Sequence, residues 1–469
     1  MAGGLHVNDA DALTWSIERG PLLRSTICCV VVLDGLPDWD RLVERMDRVS
    51  RQVLGFRHRL TEVPLRRLTP PQWVVDPDFD LSFHVRRAAI PAPGDLGTLF
   101  DLARIAAMAG LDRDRPLWDL TVMEGLAGGG AGVVVRLHHI LSDGVGGMQI
   151  AALLFDLERE PRDLGPMPPV PSGTVPTGID LLRDSVAFNI TRAGHAATQV
   201  ARGAITGARR ALREPTALLA DVRETLAAAG RVAVQRPEAL SPVMTARHGW
   251  WRFDTLDAPV DGLRAAAKRA GGTVNDAFIA AIVAGLAHYH ERHAATAPTL
   301  HATMPISLRR DGDPIGGNHA SAARFTVPVG SPGTPIRERL ATIHEIVATA
   351  RRDATTPLSN LAGVINVLGP QYAAGMFKHV DFLASNVPGI DVPVHLAGAE
   401  VLAFYGFGPP FGAAMNVTLV SYRGTAFIGV NSDAAAVPDR EVLVECLRAG
   451  LAEVLAIPVE GGMVSGLEP

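Results

Sequence analysis

The chain has 469 residues, a length that predicts two domains rather than one compact core. Apolar residues make up 47% of it and charged residues 20%, as in ordinary globular proteins, and a formal net charge of -5 excludes a global basic footprint for nucleic acid. Three cysteines exclude a disulfide framework, which predicts a reducing, cytoplasmic setting.

The N-terminal part, predicted as one half of the protein over residues 1–165, alternates strand-like and helix-like segments. The β-branched run 25–33 predicts a strand, and the apolar run 131–137 predicts another in the interior of a sheet. Apolar residues at helical spacing predict helices over 39–53, 99–109 and 148–157.

A connector is predicted over residues 166–245, since proline recurs from 161 to 176 and a basic segment follows. The stretch 179–213 has helical spacing and carries six arginines. Two interpretations of it stay open. It is either a helix that bridges the two halves with a solvated basic face, or an interfacial helix attracted to anionic lipid.

The C-terminal half is predicted over residues 246–469. The pair Gly271-Gly272 ends a helix, and Thr273 is predicted to cap the next one, with Asp276 three residues on. Strands are predicted over 322–329, 415–421 and 425–430. Two αβ halves joined by a long connector are the predicted architecture, with the site in a groove between them.

A histidine pair follows the predicted strand 131–137 and precedes Ser142-Asp143-Gly144. Adjacent residues of a strand point to opposite faces, which argues against a zinc site formed by His138, His139 and Asp143. A neutral imidazole near pH 7 is suited to take the proton of an alcohol. On spacing alone, a structural histidine pair and a catalytic one are equally well predicted.

Two other chemistries lack their motifs. No Gly-x-Ser-x-Gly elbow is present for a serine nucleophile, and Gln149 stands where a dinucleotide fingerprint needs its last glycine. These observations favour direct transfer between donor and acceptor, without a covalent enzyme intermediate.

The run 138–144 matches the HHxxxDG signature, by which the chain resembles the CoA-dependent acyltransferases related to chloramphenicol acetyltransferase and to condensation domains. Flanking motifs narrow the resemblance to the bacterial wax ester synthase/acyl-CoA:diacylglycerol acyltransferase family. They are Arg115-Pro116-Leu117-Trp118, Val274-Asn275-Asp276, Gly317-Asn318 after Met304-Pro305-Ile306, and Ser385-Asn386-Val387-Pro388-Gly389. The resemblance implies an α/β fold of two chloramphenicol acetyltransferase-like subdomains with mixed sheets and an active-site channel between them.

The resemblance also implies roles for the motif residues. His139 is the general base for the acceptor hydroxyl, and His138 shapes the end of the strand. Asp143 is a structural carboxylate held by a cation that the sequence does not identify. Asn275 either orients His139 or donates to the developing oxyanion, or it serves only to cap its helix.

Four residues are predicted to contact substrate. Gly144 permits a tight turn where a side chain would obstruct the channel. Trp118 supports the fold or the wall of the acyl channel, and Asn386 and Pro388 lie in a turn near that channel. In this turn the chain has Ile390 where the family usually has proline, which bears on its preference for CoA or acceptor.

The predicted reaction uses long-chain acyl-CoA as co-substrate, without a metal or another cofactor, and makes triacylglycerol from diacylglycerol or wax esters from fatty alcohols. One alternative is the same chemistry on another alcohol, as in condensation-type enzymes. The other is a non-catalytic lipid-binding or inclusion-surface protein, against which the intact motif residues argue. No signal peptide or membrane-spanning run is predicted, so the expected place is cytoplasmic and peripheral to the inner membrane or lipid inclusions.

Overall fold

A computed structural model describes residues 5–18, 20–64, 69–160, 163–213, 241–310, 312–330, 333–353 and 379–457. The part of the predicted connector from 214 to 240 therefore lies outside the described residues. The helices are α1 (Asp9–Ile17), α2 (Trp39–Gln52), α3 (Leu81–His84), α4 (Leu96–Ala109), α5 (Gly144–Leu154), α6 (Gly178–Arg213), α7 (Val260–Arg269), α8 (Val274–Arg292), α9 (Ile336–Asp353) and α10 (Arg440–Leu455).

Strands alternate with these helices along the chain. They are β1 (Leu5–His6), β2 (Thr26–Leu33), β3 (His58–Thr61), β4 (Gln72–Val75), β5 (Val85–Ala89), β6 (Trp118–Glu124), β7 (Ala131–His138), β8 (Trp251–Pro259), β9 (Thr299–Ser307), β10 (Ala320–Pro328), β11 (Phe382–Ile390), β12 (His395–Leu396), β13 (Ala399–Phe407), β14 (Met415–Tyr422) and β15 (Thr425–Asp433). Each predicted strand and helix named above has its counterpart, apart from shifts at the ends.

Two six-stranded sheets organise the protein. The first has the order β12-β13-β2-β7-β6-β5 and the second has the order β10-β9-β11-β14-β15-β8. Both are mixed, since β5 runs parallel to β6, and β11 runs parallel to β9 and β14. The two sheets have separate hydrophobic cores. The predicted α/β fold with two mixed sheets is confirmed.

The histidine pair owes its position to a buried central strand. β7 is apolar almost throughout, and it pairs on one side with β2 and on the other with β6. A strand with neighbours on both sides and helices over its face needs such a continuous apolar run. The pairing sets Thr26 opposite His138, where β7 ends.

One crossover joins the predicted C-terminal half to the first sheet. β12 and β13 come from the predicted C-terminal half, yet β13 pairs antiparallel with β2 in the first sheet. The chain then returns through residues 408–414 to β14 in the second sheet. This return segment therefore runs across the junction between the sheets.

The predicted turn over 385–389 is wrong, because these residues belong to β11. Ser385, Asn386 and Val387 pair in register with β14, and a bulge shifts the register before Ile390. At the bulge Gly389 is required by space, since a Cβ there would lie 1.4 Å from the backbone oxygen of Ser421.

The long helix α6 confirms the helical spacing of the basic segment. Among the described residues, none of the helices alone combines the length and apolar composition that a membrane crossing needs. The pair α7 and α8 meets these criteria only jointly, with a bend of 94° between its members.

Candidate active site

His138 is a buried residue that fastens the end of β7. Its Nε2 lies 2.6 Å from Oε2 of Glu18, and its Nδ1 accepts the backbone N–H of Ile140 at 3.2 Å. Because Nδ1 is the acceptor, the neutral ring carries its proton on Nε2 and donates it to Glu18. Burial alone would raise the pKa of Glu18, but the hydrogen bonds from His138 and the backbone of Ser25 outweigh it and lower that pKa.

His139 is the first residue after β7, and its ring has a different aromatic neighbour from that of His138, which meets Trp15. Its backbone N–H donates to the oxygen of Ser25 at 2.8 Å, and its ring meets that of Phe411 edge to face, with centroids 5.5 Å apart. The side chain of His139 is partly exposed at the surface.

The surroundings of His139 keep its ring neutral. Burial lowers its pKa to about 4, and His138 acts in the same direction, while the carboxylate of Asp143 opposes them. At pH 7 the imidazole is therefore unprotonated. A deep, neutral and accessible imidazole is chemically a candidate for proton abstraction.

Asp143 joins the turn that carries His139, here called the histidine turn, to the C-terminal half of the protein. Its Oδ1 caps α5 by accepting the N–H of Gly146 at 2.7 Å, and its Oδ2 accepts the N–H of His319 at 2.8 Å. Nε of Arg309 lies 3.3 Å from Oδ1, and both side chains are buried. Arg309 thus occupies the place of the cation that the sequence could not identify.

A loop of the C-terminal half clamps the histidine turn. The guanidinium of Arg309 also donates to the carbonyls of Gly316 and Gly317, at 2.7 and 2.6 Å. The N–H of Gly317 in turn donates to the oxygen of Leu141 at 2.6 Å. The position of His139 therefore depends on residues about 170 positions away in the chain.

A buried carboxyl lies beside this clamp. Asp11 on α1 accepts from Nδ2 of Asn318 at 2.9 Å and from Nδ2 of Asn8 at 2.8 Å. Burial raises its pKa to about 8, and the nearby charge of Asp143 contributes to the increase. Asp11 is thus largely protonated at neutral pH, which limits the negative charge near Asp143.

Gly144 is needed for close packing and not for a special turn. It is the first residue of α5 and is absent from the positions with left-handed backbone. A Cβ added there would lie 2.9 Å from Cγ2 of Val387 on β11. The strand of the C-terminal half therefore touches the helix that follows the histidine turn.

Asn275 lies in the first turn of α8, as predicted, but its amide is engaged elsewhere. Its Nδ2 donates to Sδ of Met304 at 3.1 Å. The helix cap is formed by Thr273 and Asp276, which exchange hydrogen bonds in a capping box. The structure therefore gives Asn275 neither a contact with His139 nor the role of cap.

Trp118 belongs to the core of the first sheet. Its side chain is 1% exposed, its Nε1 donates to the oxygen of Phe56 at 2.9 Å, and its ring stacks between Phe56 and His84. An indole so enclosed supports the fold, which is one of the two roles predicted for Trp118.

The other two substrate candidates lie on β11. Asn386 is half-buried and Pro388 is exposed. Their neighbour Val387 contacts the start of α5, so both lie near the junction of the halves. Within the described residues, no group of three or more His, Cys, Asp or Glu side chains is close enough to hold a metal ion.

Sequence reasoning missed Glu18, Arg309 and Phe411. Glu18 and Arg309 are ordinary charged residues at sequence distances of 120 and 166 from their partners, and no local pattern marks them. Phe411 follows two prolines in a glycine-rich segment, which signals a turn but not its position beside His139.

Comparison with solved structures first gives the fold class of the protein. The first condensation domain of the calcium-dependent antibiotic synthetase superposes with a TM-score of 0.62 at 16% identity, covering 97% of both chains. The wax ester synthase/diacylglycerol acyltransferase from Marinobacter aquaeolei VT8 superposes with a TM-score of 0.61 at 22% identity, covering 96% of this chain and 98% of that one. The chain thus has the condensation-domain-like fold of two joined α/β halves.

Sequence comparison gives the family. The model of the wax ester synthase/diacylglycerol acyltransferase catalytic domain matches residues 7–278, and the model of the family's C-terminal domain matches residues 316–454. A putative diacylglycerol O-acyltransferase of Mycobacterium tuberculosis is 36% identical over 448 residues, covering 94% of this chain and 89% of that protein. The chain belongs to the wax ester synthase/diacylglycerol acyltransferase family, which confirms the resemblance found in its motifs.

Proposed function

We propose that the protein transfers a long acyl chain from acyl-CoA to the hydroxyl of diacylglycerol or of a fatty alcohol, with His139 as general base. The observation that carries this proposal is the neutral, partly exposed imidazole deep at the junction of the two halves. The names of the relatives support the acceptors, since several are called diacylglycerol O-acyltransferases and one solved neighbour is a wax ester synthase.

The proposed step is direct. An imidazole nitrogen of His139 takes the proton of the acceptor hydroxyl as the oxygen attacks the thioester carbonyl. The C–S bond breaks, the ester forms, and the imidazolium returns its proton to the departing CoA sulfur. His138, Glu18 and Arg309 take no part in this transfer, and they hold the turn that carries His139.

An acceptor panel tests the proposal. Purified protein is incubated with labelled palmitoyl-CoA and, separately, diacylglycerol, hexadecanol, glycerol or a sterol, and the products are resolved by chromatography. We expect labelled triacylglycerol or wax ester. Transfer only to another alcohol would instead support the condensation-type alternative, and no transfer to any acceptor would support the non-catalytic lipid-binding alternative.

We also propose that α6 brings the protein to a membrane or a lipid inclusion. An apolar stripe of this helix points to solvent: Ile179, Leu182, Val186 and Ile190, each between 43% and 68% exposed. Their spacing places them on one face, and Arg183 lies exposed beside them. An exposed apolar stripe with neighbouring basic residues suits the interface of an anionic bilayer.

The opposite face of α6 docks on the protein and is therefore not part of the proposed lipid contact. Leu181 is buried, the ring of Phe188 lies 4.5 Å from that of His6, and Arg192 pairs with Asp9 at 3.2 Å. The side chains of Arg202, Arg209 and Arg210 lie outside the described residues. The helix thus packs by one face against the N-terminal half, and the stripe alone is the proposed lipid contact.

Co-sedimentation with anionic liposomes tests this contact. Substituting Ile179 and Ile190 with aspartate is expected to lower the bound fraction, since burying each isoleucine contributes about 1.5–3 kcal/mol. Ile105→Asp, at an exposed isoleucine of α4, is the matched control. Equal binding of the double variant and the wild type would place the lipid contact elsewhere.

A further inference from the structure

One aromatic side chain outside the histidine motif touches the ring of His139. Phe411 lies in the segment 408–414 that carries the chain from the first sheet to the second. Its side chain is partly exposed, whereas residues 412–420 after it are all buried. His139 is also partly exposed, so the two contacting rings form one partly exposed aromatic site.

The backbone at Phe411 is strained. Phe411 has a φ of 50° and Gly412 a φ of 84°, and the N–H of Ala413 donates to the oxygen of Pro410 at 2.9 Å. Two positive φ angles inside such a hydrogen bond define a type I′ turn. Its first central position ordinarily takes Gly, Asn or Asp, because the left-handed backbone brings Cβ too close to the next carbonyl.

The surroundings hold this turn in place. Three side chains donate to backbone carbonyls of the segment: Asn416 and Asn431 through Nδ2, at 2.9 and 3.0 Å, and Arg247 through Nε, at 2.9 Å. Both asparagines are buried. A strained residue persists only where neighbours fix it in this way, and such positions concentrate at functional sites.

We propose that Phe411 is a positioning residue for His139. The phenyl ring of Phe411 sets the orientation of the imidazole and excludes water from one edge of the imidazole. This inference rests on the proposed function, because it requires His139 to be the base. An apolar ring beside the imidazole disfavours the charged form. The strained turn therefore serves to keep the base neutral and aimed at the acceptor hydroxyl.

Two substitutions test the proposal. Phe411→Gly removes the ring and supplies the residue that the turn prefers, so folding is not endangered. We expect its kcat to fall by on the order of 10–100-fold, as for a catalytic group that loses its alignment, with an unchanged or higher melting temperature. The acid limb of kcat/KM, expected near the His139 pKa of about 4, should move to higher pH. Phe411→Tyr keeps the ring and should retain wild-type values.

Arg423→Gly is the matched control. Arg423 has a φ of 48° and precedes Gly424 in the turn between β14 and β15, so the same strain is relieved away from His139. Its kcat and acid limb should stay unchanged. An unchanged kcat and acid limb in Phe411→Gly would overturn the proposal, as would an equal loss of activity and of melting temperature in Phe411→Tyr.

A His139→Ala protein, measured in the same assay, separates this proposal from the function on which it rests. If His139→Ala is inactive and Phe411→Gly is normal, only the role of Phe411 fails. If His139→Ala turns over like the wild type, the general base itself is wrong, and the role of Phe411 falls with it.

Discussion

Replacing Arg309 by methionine should weaken the junction between the two halves. The guanidinium lies 3.3 Å from Oδ1 of Asp143 and donates to the carbonyls of Pro314, Gly316 and Gly317. The two charged side chains are only 7% and 4% exposed. Solvent therefore cannot replace the interactions that the substitution removes.

The size of the effect follows from these contacts. Methionine fills much of the space but leaves a buried carboxylate without its cation, which costs about 3–5 kcal/mol. Each carbonyl left without a donor adds about 1–3 kcal/mol where it stays dry. In a protein of this size, such a loss should lower the melting temperature by on the order of 5–10 °C.

Thermal unfolding of purified variants checks this expectation. Arg310→Met is the matched control, because Arg310 is the exposed next residue and its hydrogen bonds with Asp313 are made by its backbone N–H and carbonyl, which the substitution keeps. Asp143→Ala should be destabilised at least as much as Arg309→Met, since it also loses the cap of α5. Equal melting temperatures of Arg309→Met and Arg310→Met would refute the reasoning.

Three further predictions concern Gly144, Asp11 and the absence of an acyl-enzyme intermediate. Gly144→Ala should destabilise the protein by about 1–3 kcal/mol, since its Cβ meets Val387. Adding Val387→Ala to this variant should restore stability in thermal scans. Equal stability of the single and the double variant would contradict this expectation. The pKa of Asp11 is about 8 in the folded protein and 3.8 in the unfolded chain, so between these pH values the folded protein holds one proton more. Its stability relative to Asp11→Asn should therefore fall as pH rises from 5 to 8. A stability difference that is independent of pH would contradict this expectation. Labelled acyl-CoA without acceptor, followed by denaturation, should leave no label on the protein, and a stable adduct on the pathway would contradict direct transfer.

The fold and the histidine motif could be predicted because their signals are local. The apolar run of β7, the capping box of α8 and the helical spacing of α2 each lie within one short stretch of chain. Periodicity and capping express the physics of single elements, so sequence alone identifies them. His139 could be named as the candidate base because the run 138–144 carries the family resemblance, whereas spacing alone left a structural histidine pair equally open.

Contacts between distant parts of the chain could not be predicted from the sequence. The pairing of β13 with β2, the ion pair of Arg309 with Asp143 and the contact of Phe411 with His139 all join residues more than 160 positions apart. The sequence predicts a turn over residues 385–389, and Pro388 and Gly389 are residues that turns favour. They form a strand because pairing with β14 outweighs that local preference, and a bulge accommodates the two residues.

The general base is tested most directly by the turnover of His139→Ala with palmitoyl-CoA and diacylglycerol or hexadecanol. We predict a kcat lower by on the order of 10²–10⁴-fold with an unchanged melting temperature. His288→Ala, at a half-exposed histidine on the surface of α8, is the control and should keep wild-type turnover. Wild-type turnover in a folded His139→Ala protein would contradict the assignment of His139 as the base.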